Sequence, residues 1–183
     1  MQIRNHAQGY GVVSRSIHWL TAGLLLAAFL LGELLEDVDE EGGAVSWVFD
    51  LHSGIGLIVL GLVLLRLLWI PLGGRVPELG GVDWQLMLAR IVRAALWLCM
   101  LGLPLSGWAM VNAEGHALSF FGLFALPQLV SPGSGIGELA EEIHEALPGV
   151  LMFAVALHVA GALKHHFIDG DRTLLRMWRD SAQ

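Results

Sequence analysis

Charge is scarce in this sequence of 183 residues: Asp, Glu, Lys and Arg supply 15% of it, against 55% hydrophobic residues. A soluble domain carries about 25% charged residues, so the composition argues against one. Net charge is −7, which argues against nucleic-acid binding as well. One cysteine, Cys99, rules out an internal disulfide. Internal repeats, low-complexity tracts and a separate soluble portion are absent, so residues 1–183 are expected to form a single domain. Lys and Arg are absent from long parts of the chain, and no carboxylate lies deep in its apolar stretches.

Those stretches dominate. Mean hydropathy is +0.65, and four segments approach or exceed the roughly 20 apolar residues that cross a bilayer. They cover about 17–35, 47–70, 86–111 and 148–167. The first follows basic residues as a signal peptide would, but it runs into LLGELLEDVDEE with no small-residue cleavage site, so an uncleaved span is expected. Connections are marked by GG at 42–43, PLGGRVPELGG at 71–81 and LPQLVSPGSGIG at 126–137. The fold class is therefore an all-α integral membrane four-helix bundle.

All ten Lys and Arg fall on one side of this arrangement: Arg4 and Arg15, then Arg66, Arg75, Arg90 and Arg93, then Lys164, Arg172, Arg176 and Arg179. The positive-inside rule puts both termini in the cytoplasm. Most of the 17 acidic residues lie on the opposite side, including Glu138, Glu141 and Glu142. Trp19, Trp47, Trp69, Trp84 and Trp108 near span ends fit an interfacial belt.

Eight histidines are the polar surprise, because a polar side chain in hydrocarbon is costly and tends to be functional. His18 lies near the cytoplasmic end of the first span and His52 near the outer end of the second. His144 and His158 are 14 residues apart, about 40° short of four turns and about 21 Å along one helix. Pro148 between them predicts a kink or a fresh helix start. Depth pairs His52 with His144 outside and His18 with His158 inside. His165, about 20° from His158, is an alternative inner ligand, but Lys164 marks the membrane boundary there and depth favours His158. His6 and His116 read as structural surface groups.

Two facing imidazoles suit a planar iron porphyrin better than zinc, which prefers close tetrahedral sets with Cys or carboxylates. A metal transporter would need polar ligands that the spans lack. No C-x-x-C-H occurs, so covalent haem attachment is excluded. The cofactor expectation is two haems b. At the same 14-residue offset, Gly32 shares a face with His18 and Arg66 shares one with His52. Gly32 offers clearance for a flat ring at outer depth, and Arg66 a partner for propionates at inner depth. Gly54 and Gly56 offer clearance beside His52.

The segments YGVVSRSIHWL, LHSGIGLIVLGLVLLRLLW, AEGHALSFFGLF, EEIHEAL and LHVAGALKHHFIDGDRTLLRM together resemble the bacterial cytochrome b561 family of di-haem b membrane proteins. The resemblance runs from about Tyr10 to Trp178. It implies His18 and His158 on one haem, His52 and His144 on the other, and His165 near ubiquinone. It also implies electron exchange between the periplasmic face and the quinone pool, with superoxide oxidase activity known in one branch. The acidic outer face would repel superoxide and suit a basic soluble periplasmic electron-transfer protein. AEGHALSFFGLF would serve such a partner as a docking surface, or else act as a helix-capping loop. The other reading is a cytochrome b subunit of a larger dehydrogenase or hydrogenase complex.

Overall fold

A computed structural model describes residues 2–37, 44–77 and 82–178. The GG pair at 42–43, the end of LLGELLEDVDEE, residues 78–81 of the second connection and Arg179 lie outside the described residues. Four long helices carry the fold: α1 Val12–Asp37, α2 Ala44–Gly73, α3 Asp83–Ala113 and α4 Ile136–Phe167. A short α5, Thr173–Trp178, follows. Each long helix is apolar enough to cross a membrane. A segment with no water to bond must satisfy its N–H and C=O groups internally, and a helix does so.

The fourth helix begins well before the apolar stretch that predicted it. Ile136–Leu147 and Pro148–Phe167 are one helix, so Pro148 does not start a new one. Pro71 and Pro104 likewise lie inside α2 and α3. Glycines in the left-handed region follow the helix ends: Gly74 (φ 85°) after α2, Gly115 (φ 90°) after α3 and Gly170 (φ 67°) after α4.

Between α3 and α4, AEGHALSFFGLF forms a small antiparallel hairpin, β1 Ser119–Phe120 against β2 Phe124–Ala125. Phe121 and Gly122 have φ of 50° and 70°, and Leu123 N–H closes the turn onto the Phe120 carbonyl at 2.9 Å. That is the signature of a type I′ turn. A phenylalanine in the left-handed region is strained, and its ring has a compensating seat: a Cβ on Gly54 would lie 2.6 Å from it. Neither a bare capping loop nor an all-helical chain describes this region. Buried Asn112 secures it, accepting from Leu129 N–H at 2.8 Å and donating to the His116 carbonyl at 3.0 Å.

The chain divides into two compact units, and every long helix contributes residues to both. One contains residues 1–20, 64–98 and 150–183. Its buried side chains include Ile17, Val92, Leu151 and Ala154, with Arg15 among them. In this unit Trp69 Nε1 donates to Ser14 Oγ (3.1 Å), and Trp19 Nε1 to the Met177 carbonyl (2.9 Å), tying α5 to α1. The other contains residues 21–63 and 99–149. Val48, Val59, Val63 and Cys99 form its most buried apolar core. Among the described residues every Lys and Arg belongs to the first unit and none to the second. Leu68, Leu98 and Phe153, each at least 68% exposed, present the apolar surface that lipid requires.

Candidate functional site

Each unit holds one facing pair of histidines. In the second, His52 on α2 and His144 on α4 have ring centroids 6.1 Å apart. In the first, His18 on α1 and His158 on α4 stand 6.2 Å apart. These are the same two pairs that the depth argument joined. His18, His52 and His144 are half-buried, and His158 is exposed.

The rings of the 52/144 pair are fixed by the helices that do not carry them. His52 Nδ1 lies 2.9 Å from the Ala28 carbonyl of α1. His144 Nδ1 lies 3.0 Å from the Leu103 carbonyl of α3 and 3.1 Å from Ser106 Oγ, which itself donates to Leu103 O. A carbonyl oxygen can only accept, so Nδ1 carries the proton in both rings and Nε2 of each neutral ring is left with a lone pair.

A glycine stands four residues after each accepting carbonyl, Gly32 after Ala28 and Gly107 after Leu103. Helical side chains lean toward the N-terminus over the preceding turn. A Cβ at the fourth residue would thus intrude on a ring approaching that carbonyl. A Cβ on Gly32 would lie 3.3 Å from His52 Cε1, and one on Gly107 2.9 Å from His144 Cε1. Gly32 was expected from sequence to give clearance at this depth; Gly107, Ser106 and the two carbonyls were not. Gly107 was accessible to the same reasoning, as a glycine at outer depth on the third span. The carbonyls leave no trace in residue identity.

Arg66 is a charged neighbour of both His18 and His158, and Arg93 of His158. The Arg66 guanidinium lies 5.4 Å from the Trp97 ring centroid, a cation–π contact that steadies it. The expectation for Arg66 placed it at this pair. Gly54 receives Phe121, as described, and a Cβ on Gly56 would meet nothing within 4 Å. The clearance those two glycines were expected to give beside His52 thus goes to a phenylalanine in one case and to open space in the other. His165 is bound elsewhere: its Nδ1 lies 2.8 Å from Asp171 Oδ2 and 3.0 Å from Asp169 Oδ2. Burial alone would raise the Asp171 carboxyl, but hydrogen bonds from Thr173 and the adjacent His165 hold it below its ordinary value.

The profile of "Prokaryotic cytochrome b561" matches residues 9–180. The chain belongs to this family. "Cytochrome b561 homolog 2" of Escherichia coli K12 is 31% identical over 180 residues, covering 97% of this chain and 95% of that one. "Cytochrome b561 homolog 1" of the same organism is 30% identical over 165 residues, with coverages of 88% and 92%. "Probable superoxide oxidase CybB" of Yersinia pestis is 27% identical over 170 residues, with coverages of 92% and 94%. The chain is thus a haem b-binding cytochrome of a bacterial membrane, and its activity is transmembrane electron transfer.

Proposed function

We propose that the chain holds two haems b, one between His18 and His158 and one between His52 and His144. On this reading it moves electrons between the outer face of the inner membrane and ubiquinone on the cytoplasmic side. Ring spacing carries the reading. An axial nitrogen lies about 2.0 Å from the metal and the ring centre about 1.1 Å beyond it, so two imidazoles on opposite faces of one iron stand about 6.2 Å apart. The observed separations are 6.2 and 6.1 Å. In the 52/144 pair, Nε2 has the free lone pair that an iron ligand needs, and Gly32 and Gly107 leave the rings room to turn toward it.

Bound haem would supply a reversible one-electron centre. The chain does the rest. Its histidine pairs would hold the haems, and Arg66 would offer a guanidinium to carboxylates at the 18/158 pair. The apolar spans exclude water. Confinement of every Lys and Arg to the unit holding both termini supports cytoplasmic termini under the positive-inside rule. With that orientation the 18/158 pair would lie on the cytoplasmic side and the 52/144 pair on the outer side.

The outer electron donor follows two readings. Superoxide is the first, by similarity to the relative named a probable superoxide oxidase. A basic soluble protein, or a larger dehydrogenase or hydrogenase complex, is the second. It is favoured by an outer unit with Glu138, Glu141 and Glu142 and no Lys or Arg.

Alanine variants of the four histidines test the haem assignment. Haem-to-protein ratios and low-temperature spectra should sort His52→Ala with His144→Ala, and His18→Ala with His158→Ala, each group losing one component. Sorting of His52→Ala with His158→Ala would overturn the pairing.

A further inference from the structure

The last turn of α4 holds a polar network that electron transfer between the histidine pairs does not use. Both Asp169 and Asp171 face the same atom of His165, Nδ1, at 3.0 and 2.8 Å. Asp171 is itself pinned twice: its Oδ1 accepts from Thr173 N–H at 2.8 Å, and its own N–H donates to the His165 carbonyl at 3.0 Å. Asp169 is engaged by Lys164, whose Nζ lies 3.0 and 2.8 Å from its two oxygens and 3.3 Å from Gln85 Oε1 on α3. The charged and titratable groups facing His165 are thus Asp169, Asp171 and, through Asp169, Lys164. The ligand atoms of His165, Asp169 and Asp171 lie within 4.8 Å of one another, close enough for a metal ion. Lys164 already supplies the cation that Asp169 needs, so the cluster is satisfied as a hydrogen-bonded network.

What this arrangement does is orient an imidazole. With Nδ1–H directed at two carboxylates, proton exchange is left to Nε2. A carboxylate acting through the far nitrogen in this way sets tautomer and orientation without touching substrate.

Resting on the reading that a quinone is reduced at this end of the bundle, we propose that Asp171 is the positioning residue of a proton-delivery unit whose donor is His165. Reduction of a quinone to a quinol takes two electrons and two protons. The electrons arrive one at a time through the cytochrome. His165 Nε2–H gives one proton to one quinone oxygen, the other oxygen takes its proton from water, and Nε2 is reprotonated from water after the quinol leaves. Asp171 stays ionised throughout.

The test uses the purified, haem-loaded protein in nanodiscs. Haem is reduced with dithionite, excess reductant is removed, and reoxidation by a short-chain ubiquinone is followed by stopped flow over a range of quinone concentrations. Asp171→Asn is expected to lower the maximal reoxidation rate about 10- to 100-fold, the usual effect of losing such a supporting group, with the half-saturating quinone concentration unchanged. His165→Gln should match it, and Asp171→Glu should recover most of the rate. Trp178→Ala, which removes the Trp19 ring contact of α5 (5.4 Å) while leaving the His165 carboxylates intact, should behave as the unaltered protein.

An unchanged maximal rate in Asp171→Asn overturns the proposal. So does an equal loss in Trp178→Ala, which would make Asp171 a fold-holding residue only. Stoichiometric zinc binding abolished by Asp171→Asn would make the cluster a metal site and overturn it too. Failure of the unaltered protein to be reoxidised by quinone at all would instead refute the quinone reading on which the proposal rests.

Discussion

On the proposed haem assignment, replacing Gly107 with alanine should damage the 52/144 site and spare the 18/158 site, because the added methyl meets His144 before anything else. The new Cβ would lie 2.9 Å from His144 Cε1 and 3.2 Å from Nδ1. Carbon atoms in ordinary contact stand about 3.5–4.0 Å apart, so the ring must retreat by roughly 0.5–1 Å. That stretches the 3.0 Å bond to the Leu103 carbonyl past the range of a hydrogen bond. Loss of such a support costs ligands about 10- to 100-fold in affinity for the metal, or about 1.4–2.7 kcal/mol. Gly32→Ala should be milder: its Cβ would stand 3.3 Å from His52 Cε1, a retreat of a few tenths of an ångström that the 2.9 Å bond to Ala28 can absorb. Gly23→Ala meets nothing within 4 Å and serves as the control. Haem stoichiometry and the low-temperature α-band should show Gly107→Ala losing the component lost in His144→Ala, with Gly32→Ala intermediate and Gly23→Ala unchanged. Full haem content and an unaltered α-band in Gly107→Ala would refute the steric argument.

Two further outcomes are expected. Reduction of the cytochrome by superoxide should be well below the diffusion limit at low ionic strength, accelerate with added salt, and accelerate on neutralising Glu138, Glu141 and Glu142, because the unit that holds the 52/144 pair carries no Lys or Arg; fast, salt-insensitive reduction would remove the case for a basic partner. The depressed Asp171 carboxyl stabilises the α4–α5 connection when ionised, a contribution present above its ordinary value of 3.8 and lost as pH falls through the lower folded value, so Trp178 fluorescence should hold from neutrality to about pH 4 and change only below it.

The helices and histidine pairs were legible in sequence for one reason. Hydrocarbon tolerates few polar groups, so their positions along each span become coordinates of depth. Read that way, His18 goes with His158 and His52 with His144, and these are the pairs whose rings stand close together. That logic needs no knowledge of packing. It fails where the partner is a backbone atom, as with the Ala28 and Leu103 carbonyls, and where a side chain returns from a loop. Gly54 illustrates the second case: its clearance serves Phe121, a residue 67 positions away whose seat depends on an I′ turn that the sequence signals only weakly. The extra turns at the start of α4 were also hidden. GELAEEIHEAL is too polar for an apolar-run criterion, although its spacing is helical.

The paired use of α1 and α3 points to a rule that sequence can carry. Neither helix gives a histidine to the 52/144 pair, yet each supplies one accepting carbonyl and one glycine four residues later. The offset has a cause. In a helix the carbonyl of residue i accepts from the N–H of residue i+4, and the side chain of that residue leans back over the carbonyl. A second donor, approaching from a neighbouring helix, can reach the remaining lone pair only if that side chain is missing. Glycine at i+4 is the one residue that exposes a helical carbonyl to an imidazole while leaving the helical bond intact. A histidine at membrane depth therefore predicts a glycine at the same depth on an adjacent span, with the accepting carbonyl four residues before it. Applied to this chain, the rule selects Gly32 with Ala28 and Gly107 with Leu103. The same condition explains why the two glycines differ in tolerance. His144 is drawn in by both Leu103 O and Ser106 Oγ, whereas His52 has the Ala28 carbonyl, so the ring held by more partners is the one nearest its glycine.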